Sequence, residues 1–97
     1  MKKDLYSVLD LKAKTYLDPV CYIHAGVAVR EFEDTVNNPQ TIMHKHPEDF
    51  SLFKIGTYDD HTAQVRHCDP ELIVSALSVR SQADANNGDW FNPGGTK

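Results

Sequence analysis

The sequence predicts a small α+β domain in which a mostly antiparallel sheet of three to four strands carries two helices on one face. Three observations lead to this prediction. Apolar residues follow a helical stripe over residues 25–38, an apolar strand pattern covers residues 50–58, and a strong helix-start signal begins at Asp69. The chain has 97 residues, 40% of them hydrophobic, which fits one ordered domain, predicted here at residues 1–82.

The N-terminal part predicts strands joined by a tight turn. Residues 5–9 form a strand pattern with apolar side chains on both faces, and the polar residues 10–14 form a turn. Residues 15–17 return as a short second strand, which Pro19 ends because proline has no N–H for a strand ladder. Residues 20–23 are apolar and β-prone, so they either extend this strand after a bulge or line the core as a loop.

A helix over residues 25–38 follows, because a set of apolar residues falls on one helical stripe. This set is Ala25, Ala28, Val29, Phe32 and Val36. Asn37 and Asn38 tolerate left-handed geometry and Pro39 cannot continue a helix, so the helix ends at these residues. Phe32 is therefore predicted to be a core residue.

The run from Lys45 to Asp60 contains a helical turn, a strand and an acidic turn. Residues 40–44 in front of it are predicted to be a loop. Pro47 has the φ angle of a first helical position and two acids follow it, so residues 46–49 predict one short helical turn.

Residues 50–58 form the strand of this run. Apolar side chains fall on both of its faces, which is typical of a central strand and predicts that Phe53 and Ile55 are core residues. Gly56 predicts a bulge or the close approach of another backbone, because glycine inside a strand has no side chain to pack.

A hairpin comes next. Residues 59–61 form its turn, and residues 62–67 return as an edge strand that alternates between inward Ala63 and Val65 and outward polar residues.

A second helix is predicted over residues 69–81. Asp69-Pro70-Glu71 combines a cap, a proline at the first helical position and an acid in the first turn. The buried stripe of this helix would consist of Leu72, Ile73, Ala76 and Leu77. The polar residues 83–97 predict a mobile C-terminal tail.

A set of residues within about 4–62 carries a family resemblance. In order, these are Leu5-Tyr6-Ser7, Asp10, Lys12-Ala13, Tyr16, Pro19, Gly26, Ala28, Arg30, Phe32, Asp34, Asn38-Pro39, Lys45-His46-Pro47-Glu48-Asp49-Phe50, Leu52-Phe53, Ile55-Gly56 and Tyr58-Asp59-Asp60. This order resembles the small non-structural protein of gokushoviruses, tailless phages with single-stranded DNA genomes. The resemblance implies a DNA-binding role in genome replication or packaging.

Charge and hydropathy limit the environment and the partners. The formal net charge is −4, whereas dedicated nucleic-acid binders usually carry a basic surplus. No apolar run approaches the ~20 residues that a membrane span needs, so no membrane partner is expected. The N-terminus has no apolar signal core, and with the resemblance this places the protein in the cytoplasm of the infected bacterial host. Cys21 and Cys68 are then expected to be small buried hydrophobic residues rather than a disulfide.

Metal and catalytic sites are not expected. Zinc ligands could come from His44, His46, His61, His67 and Cys68, but no Cys-x-x-Cys or His-x-x-x-His pair occurs. The acidic pairs at 48–49 and 59–60 fit helix-start and turn positions, and neither cysteine has a partnered histidine motif. The sequence therefore predicts no enzyme, no cofactor and no tight zinc site.

Positive charge gathers on the predicted first hairpin. Lys2, Lys3, Lys12 and Lys14 stand there against Asp4 and Asp10 only. Tyr6 and Tyr16 of the same hairpin could stack on unpaired bases. With the resemblance, this predicts non-specific binding of single-stranded DNA, with Arg30, Lys45 and Lys54 as possible additions. The alternative is that the lysines only protect an edge hairpin from aggregation.

A second function from another class fits the sequence as well. The acidic net charge favours a protein-interaction module that makes no DNA contact. Such a module could form a homodimer, because a small sheet tends to leave a face or an edge uncovered. It could also bind a phage or host protein, either through the sheet edge or through Trp90 and Phe91.

Overall fold

A computed structural model describes residues 1–81 of the chain. Within them, five strands form one sheet, with a layer of short helices on one side. The strands are β1 (Lys2–Asp10), β2 (Thr15–Tyr16), β3 (Val20–Tyr22), β4 (Phe50–Asp59) and β5 (Gln64–Ser75). The helices are α1 (Ala25–Val36), α2 (Ile42–Lys45), a 3₁₀ turn (Pro47–Asp49) and α3 (Ala76–Val79). The α+β class is confirmed, while the numbers of strands and helices differ from the prediction.

The sheet is antiparallel and β4 is one of its central strands, as predicted. β1 pairs with β4 along nearly its whole length, and β4 pairs on its other side with β5. The opposite edge of β1 is shared between two short strands: β3 lies beside residues 4–6 and β2 beside residues 9–10. Of the predicted residues 20–23, Val20–Tyr22 therefore form a separate strand paired with β1 rather than a loop.

The core lies between the sheet and α1. Ala28, Phe32 and Val36 of α1 are buried, which confirms the predicted stripe and the position of Phe32. They meet a second buried set from the strands and α3, which consists of Tyr6, Phe50, Leu52 and Ala76.

Residues 40–44 were predicted to be a loop, but the helix α2 begins within them. The Thr41 hydroxyl accepts a hydrogen bond from the amide of His44 at 3.2 Å and so caps this one-turn helix. The 3₁₀ turn at Pro47–Asp49 follows, as expected.

The prediction that Phe53 and Ile55 belong to the core is wrong. Both side chains are only half-buried. Phe50 and Leu52 of the same strand point to the helices, so Phe53 points to the opposite face. The helices cover one face only, so the second face of an apolar strand such as β4 has no helix of residues 1–81 packed on it.

The inward positions predicted for Ala63 and Val65 are also wrong. Ala63 lies in the hairpin turn with a φ of 61°, and Val65 is 61% exposed. Between residues 53 and 72, no residue of the β4–β5 hairpin belongs to the core or packs against it, so alternation along this part of β5 has no core to follow.

The predicted helix over residues 69–81 does not form. β5 continues to Ser75, and only Ala76–Val79 are helical. Residues 71–75 pair with residues 51–54 of β4, whose N-terminal half would otherwise have an unpaired edge. Pairing with the edge of β4 therefore outweighs the local preference of these residues to start a helix.

Pro70 fits into β5 because the strand bulges. His67 lies opposite Gly56 and Glu71 opposite Lys54, so the three residues 68–70 face the single Ile55. In an edge strand, a bulge is where a residue without an N–H interrupts the ladder least. Of the predicted buried stripe, Ala76 is in the core and Ile73 packs against it, while Leu72 and Leu77 are 57% and 60% exposed.

Gly56 confirms the predicted close approach of another backbone. A Cβ atom at this position would lie 2.3 Å from the carbonyl oxygen of Arg66. The register of β4 shifts beside Gly56 against both neighbouring strands.

Neither cysteine is buried as predicted, since Cys21 is exposed and Cys68 is partly exposed. The C-terminal tail at residues 83–97, with Trp90 and Phe91, lies outside the described residues. Among the helices of residues 1–81, none has the length and apolar character to cross a membrane.

Candidate functional site

The face of the sheet that points away from the helices is the most distinctive surface of the described chain. Tyr6 belongs to the core and Val8 packs against it, so Leu5, Ser7 and Leu9 of β1 point the other way. Directly paired residues share a face, which extends this surface across the sheet. We call it the open face; it consists of Lys3, Leu5, Ser7, Leu9, Tyr16, Cys21, Ser51, Phe53, Gly56, Tyr58, Val65, His67, Leu72 and Ser75. Two of these residues are buried, Gly56 and Ser7, and the Ser7 hydroxyl donates a hydrogen bond to the carbonyl of Leu17.

The open face is apolar and nearly without charge. Lys3 is its single formally charged residue, and the Lys3 Nζ lies 3.8 Å from a carboxylate oxygen of Asp60. Tyr16, Val65 and Leu72 are 44%, 61% and 57% exposed. The largest exposed apolar patch of a protein is often a contact surface.

The β1–β2 turn places an aromatic pair on this face. The Asp10 carboxylate accepts hydrogen bonds from the amides of Lys12 and Ala13 at 3.0 and 3.2 Å, and Lys14 adopts a φ of 60°. The chain therefore reverses tightly and brings Tyr16 beside Leu9. The ring of Tyr16 meets Phe53 edge-on, with centroids 5.7 Å apart and an interplanar angle of 81°.

The structure does not gather the four hairpin lysines. Lys2 and Lys3 lie at the beginning of β1, whereas Lys12 and Lys14 lie in the turn after its end. At about 3.3 Å per residue, the two pairs are roughly 30 Å apart. The hairpin therefore carries two separate pairs of positive charges rather than one basic patch.

Tyr6 has no ring face to offer to a base. It is 2% exposed, and its hydroxyl donates a hydrogen bond to Asp4 at 3.2 Å. Burial, with a contribution from the Asp4 charge, raises the pKa of Tyr6 to about 12. Of the two predicted stacking residues, only Tyr16 is accessible.

The three additional cations lie apart from the open face. The Lys54 Nζ lies 3.5 Å from Asp4, on the helix side of the sheet. Arg30 is exposed on α1 and Lys45 on α2, both in the helical layer. The nine residues predicted to bind DNA are thus spread over both faces and both ends of the described fold.

One group of side chains has the composition of a cation site. The ligand atoms of His46, Glu48 and Asp49 lie within 4.8 Å of one another, and among residues 1–81 this is the one such group of three. His46 and Glu48 are more than half exposed, with 3.9 Å between Nδ1 and Oε2. Neither His44 nor Cys68 joins it; the His44 ring instead contacts the Val36 carbonyl and the Arg80 guanidinium. The absence of a tight zinc site stays a prediction.

A small cavity lies between α1 and the β3 edge. Its volume is about 110 Å³, and its lining combines apolar Phe32 and Leu52 with acidic Asp18 and Glu31. Tyr22 donates a hydrogen bond to Glu31 at 2.9 Å, and burial raises the pKa of this tyrosine. The volume is well below the roughly 300–1,000 Å³ of typical ligand pockets.

These features define a class of protein: a small α+β protein whose main accessible feature is an apolar sheet face. The family model described as Phage ORF5 protein matches residues 3–79, and the chain belongs to this family. Protein ORF5 of Chlamydia phage 1, a gokushovirus, is 36% identical over 73 residues, covering 71% of this chain and 76% of that protein. The resemblance to the gokushovirus protein is confirmed. No solved structure matches the chain.

The sequence predicted that a small sheet tends to leave a face or an edge uncovered, but it did not identify the residues of the open face, although it carried their signal. Residues 5–9 and 50–58 both place apolar side chains on two faces. One layer of short helices covers only one face of a small sheet, so one apolar face had to be left over. The prediction for Phe53 was wrong because it assumed that both faces of the strand at residues 50–58 are buried.

Proposed function

We propose that this chain is a non-enzymatic phage accessory protein that acts by binding another protein through the open face. The observation that supports the proposal is the composition of this face, where one ion-paired lysine stands among apolar and small polar side chains. Removing such a surface from water is favourable and leaves no unpaired charge behind. The names Phage ORF5 protein and Protein ORF5 place the chain among phage proteins and describe no enzyme.

The charges argue in the same direction. The net charge of −4 opposes approach to a phosphate backbone unless cations are concentrated at one place. Lys3 and Lys54 already lie beside Asp60 and Asp4, and the remaining cations of the predicted set are scattered. Electrostatic attraction for DNA is therefore weak.

Single-stranded DNA is the second candidate because of one local feature. Tyr16 and Phe53 form an accessible aromatic pair on the open face, and Lys12 and Lys14 stand in the turn next to Tyr16. Aromatic rings on an open sheet face can stack on unpaired bases, with lysines neutralising the phosphates. Such binding would be independent of base sequence.

Substitution of Leu72 by lysine distinguishes the two candidate functions, because it should change protein binding and DNA binding in opposite directions. A new cation in the middle of the open face weakens docking of an apolar protein surface and strengthens attraction for DNA. We expect no saturable binding of a labelled mixed-sequence oligonucleotide by the parent protein at low salt, measured by fluorescence anisotropy. Lys12→Glu with Lys14→Glu should leave this result unchanged.

The DNA alternative predicts a different set of results. Three or four phosphate contacts would give a log–log salt dependence with a slope of roughly −2 to −3. Binding with this slope, lost in the double charge reversal and tighter in Leu72→Lys, would contradict the proposal. Leu77→Lys is the matched control, since it adds the same charge at an equally exposed leucine on α3.

A further inference from the structure

We infer that the protein bound at the open face is a second copy of this chain, so that two sheets pack face to face in a symmetric dimer. This inference rests on the proposed function and names the partner. Three properties of the described fold support it: the shape of the sheet edges, the size of the face and its charge.

The edges of the sheet disfavour pairing side by side. The outer edge of β5 is interrupted by the bulge at residues 68–70, and Pro70 supplies no N–H. The opposite edge is divided between the short strands β2 and β3, with Pro19 between them. Bulges, prolines and short edge strands disfavour strand addition, so among the described residues the open face is better suited to self-association than the sheet edges.

The size of the open face is compatible with a small dimer interface. Four strand positions at about 4.8 Å and the length of β1 from Lys3 to Leu9 give a projected area of roughly 400 Å². The accessible surface of a face with protruding leucine and tyrosine side chains exceeds its projection. Two copies would therefore bury somewhat more than roughly 800 Å² in total, at the small end of the sizes found for specific interfaces.

The charge distribution favours a copy of the same chain at this surface. Two molecules of net charge −4 repel each other, and the repulsion is smallest where the contact surface has almost no charge. An apolar face is also complementary to itself, as a twofold interface requires. Lys3, with Asp60 beside it, lies at one end of the face, so closing the dimer buries no unpaired charge.

The expected arrangement is a sandwich of two sheets. The sheets would lie about 10 Å apart with their strands within about 30° of each other, and the helices would form the two outer layers. Tyr16, Phe53 and Leu72 would interdigitate with the same residues of the second copy. Both faces of β4 would then be covered, one by the helices and the other by the second copy.

Sedimentation equilibrium of the full chain, from low to high micromolar concentration, tests the inference. The parent should have twice the monomer mass of 10.9 kDa. Leu72→Lys should weaken dimerisation at least about 100-fold, because burial of a leucine is lost twice in a twofold interface. Leu77→Lys should remain a dimer, and Tyr16→Lys is a second face variant in case Leu72→Lys does not fold by circular dichroism.

Several results would overturn the second copy as partner. These are a monomeric parent at every concentration, a dimer that persists in both face variants, or dissociation in Leu77→Lys. A monomer in which Leu72→Lys shifts the fluorescence of Trp90 would instead assign the face to the chain's own C-terminal segment. A monomeric parent leaves the proposed function standing if the open face is protected in extracts of infected cells, and removes it if the face is accessible there.

Discussion

Phe32→Ala is expected to lower the free energy of unfolding by about 3–5 kcal/mol, a large share of the total for a domain of this size. Phe32 is 5% exposed and belongs to the cluster that joins α1 to the sheet. Truncation removes the buried ring and leaves a cavity that the short helices cannot close. Urea denaturation followed by circular dichroism measures the loss.

Val27→Ala is the control on the same helix. Val27 is 36% exposed on α1, so its truncation should cost less than about 1 kcal/mol. A Phe32→Ala protein that unfolds at the same urea concentration as Val27→Ala would show that α1 does not pack as described.

Gly56→Ala is expected to destabilise the protein by about 3 kcal/mol, at the upper end of the range for overpacking. The new Cβ would lie 2.3 Å from the carbonyl oxygen of Arg66, whereas ordinary contact begins at 3.4 Å. A backbone atom cannot rotate away, so β4 and β5 must separate or change register. Thermal unfolding and the exchange rates of the β4–β5 amide protons report both effects.

Gly26→Ala provides the matched glycine control. At this position in α1, a Cβ meets only ring atoms of the His24 side chain, at 3.2 Å, and this side chain can move. Because alanine is the better helix former, the change should be neutral or stabilising by less than about 1 kcal/mol. Equal destabilisation by the two substitutions would show that Gly56 has no special contact.

The elements that local signals specify were predictable. The apolar stripe of α1, the proline at the first position of the 3₁₀ turn and the strand patterns of β1 and β4 each depend on neighbours in the sequence. Residues 69–81 were mispredicted because the decisive interaction is distant in sequence. Asp69-Pro70-Glu71 has the signature of a helix start, but residues 71–75 satisfy the edge of β4.

The candidate site was harder to predict than the fold. Lys3 and Lys12 belong to the same hairpin in sequence terms, yet Lys3 lies near the start of β1 and Lys12 in the turn after its end. The burial of Tyr6 and the exposure of Tyr16 depend on which face of the sheet the helices cover. Strands with apolar side chains on both faces do not show which face the helices cover. The open face can therefore be identified only from the three-dimensional structure.

Hydroxyl-radical footprinting of the protein in extracts of infected cells tests the central claim most directly. Leu72 and Leu77 are 57% and 60% exposed in the single chain, so a free molecule would be labelled about equally at both. If a protein covers the open face, Leu72 and the Tyr16–Phe53 pair are protected while Leu77 remains reactive. Equal labelling of Leu72 and Leu77 would contradict the claim that the open face is the surface through which this protein acts.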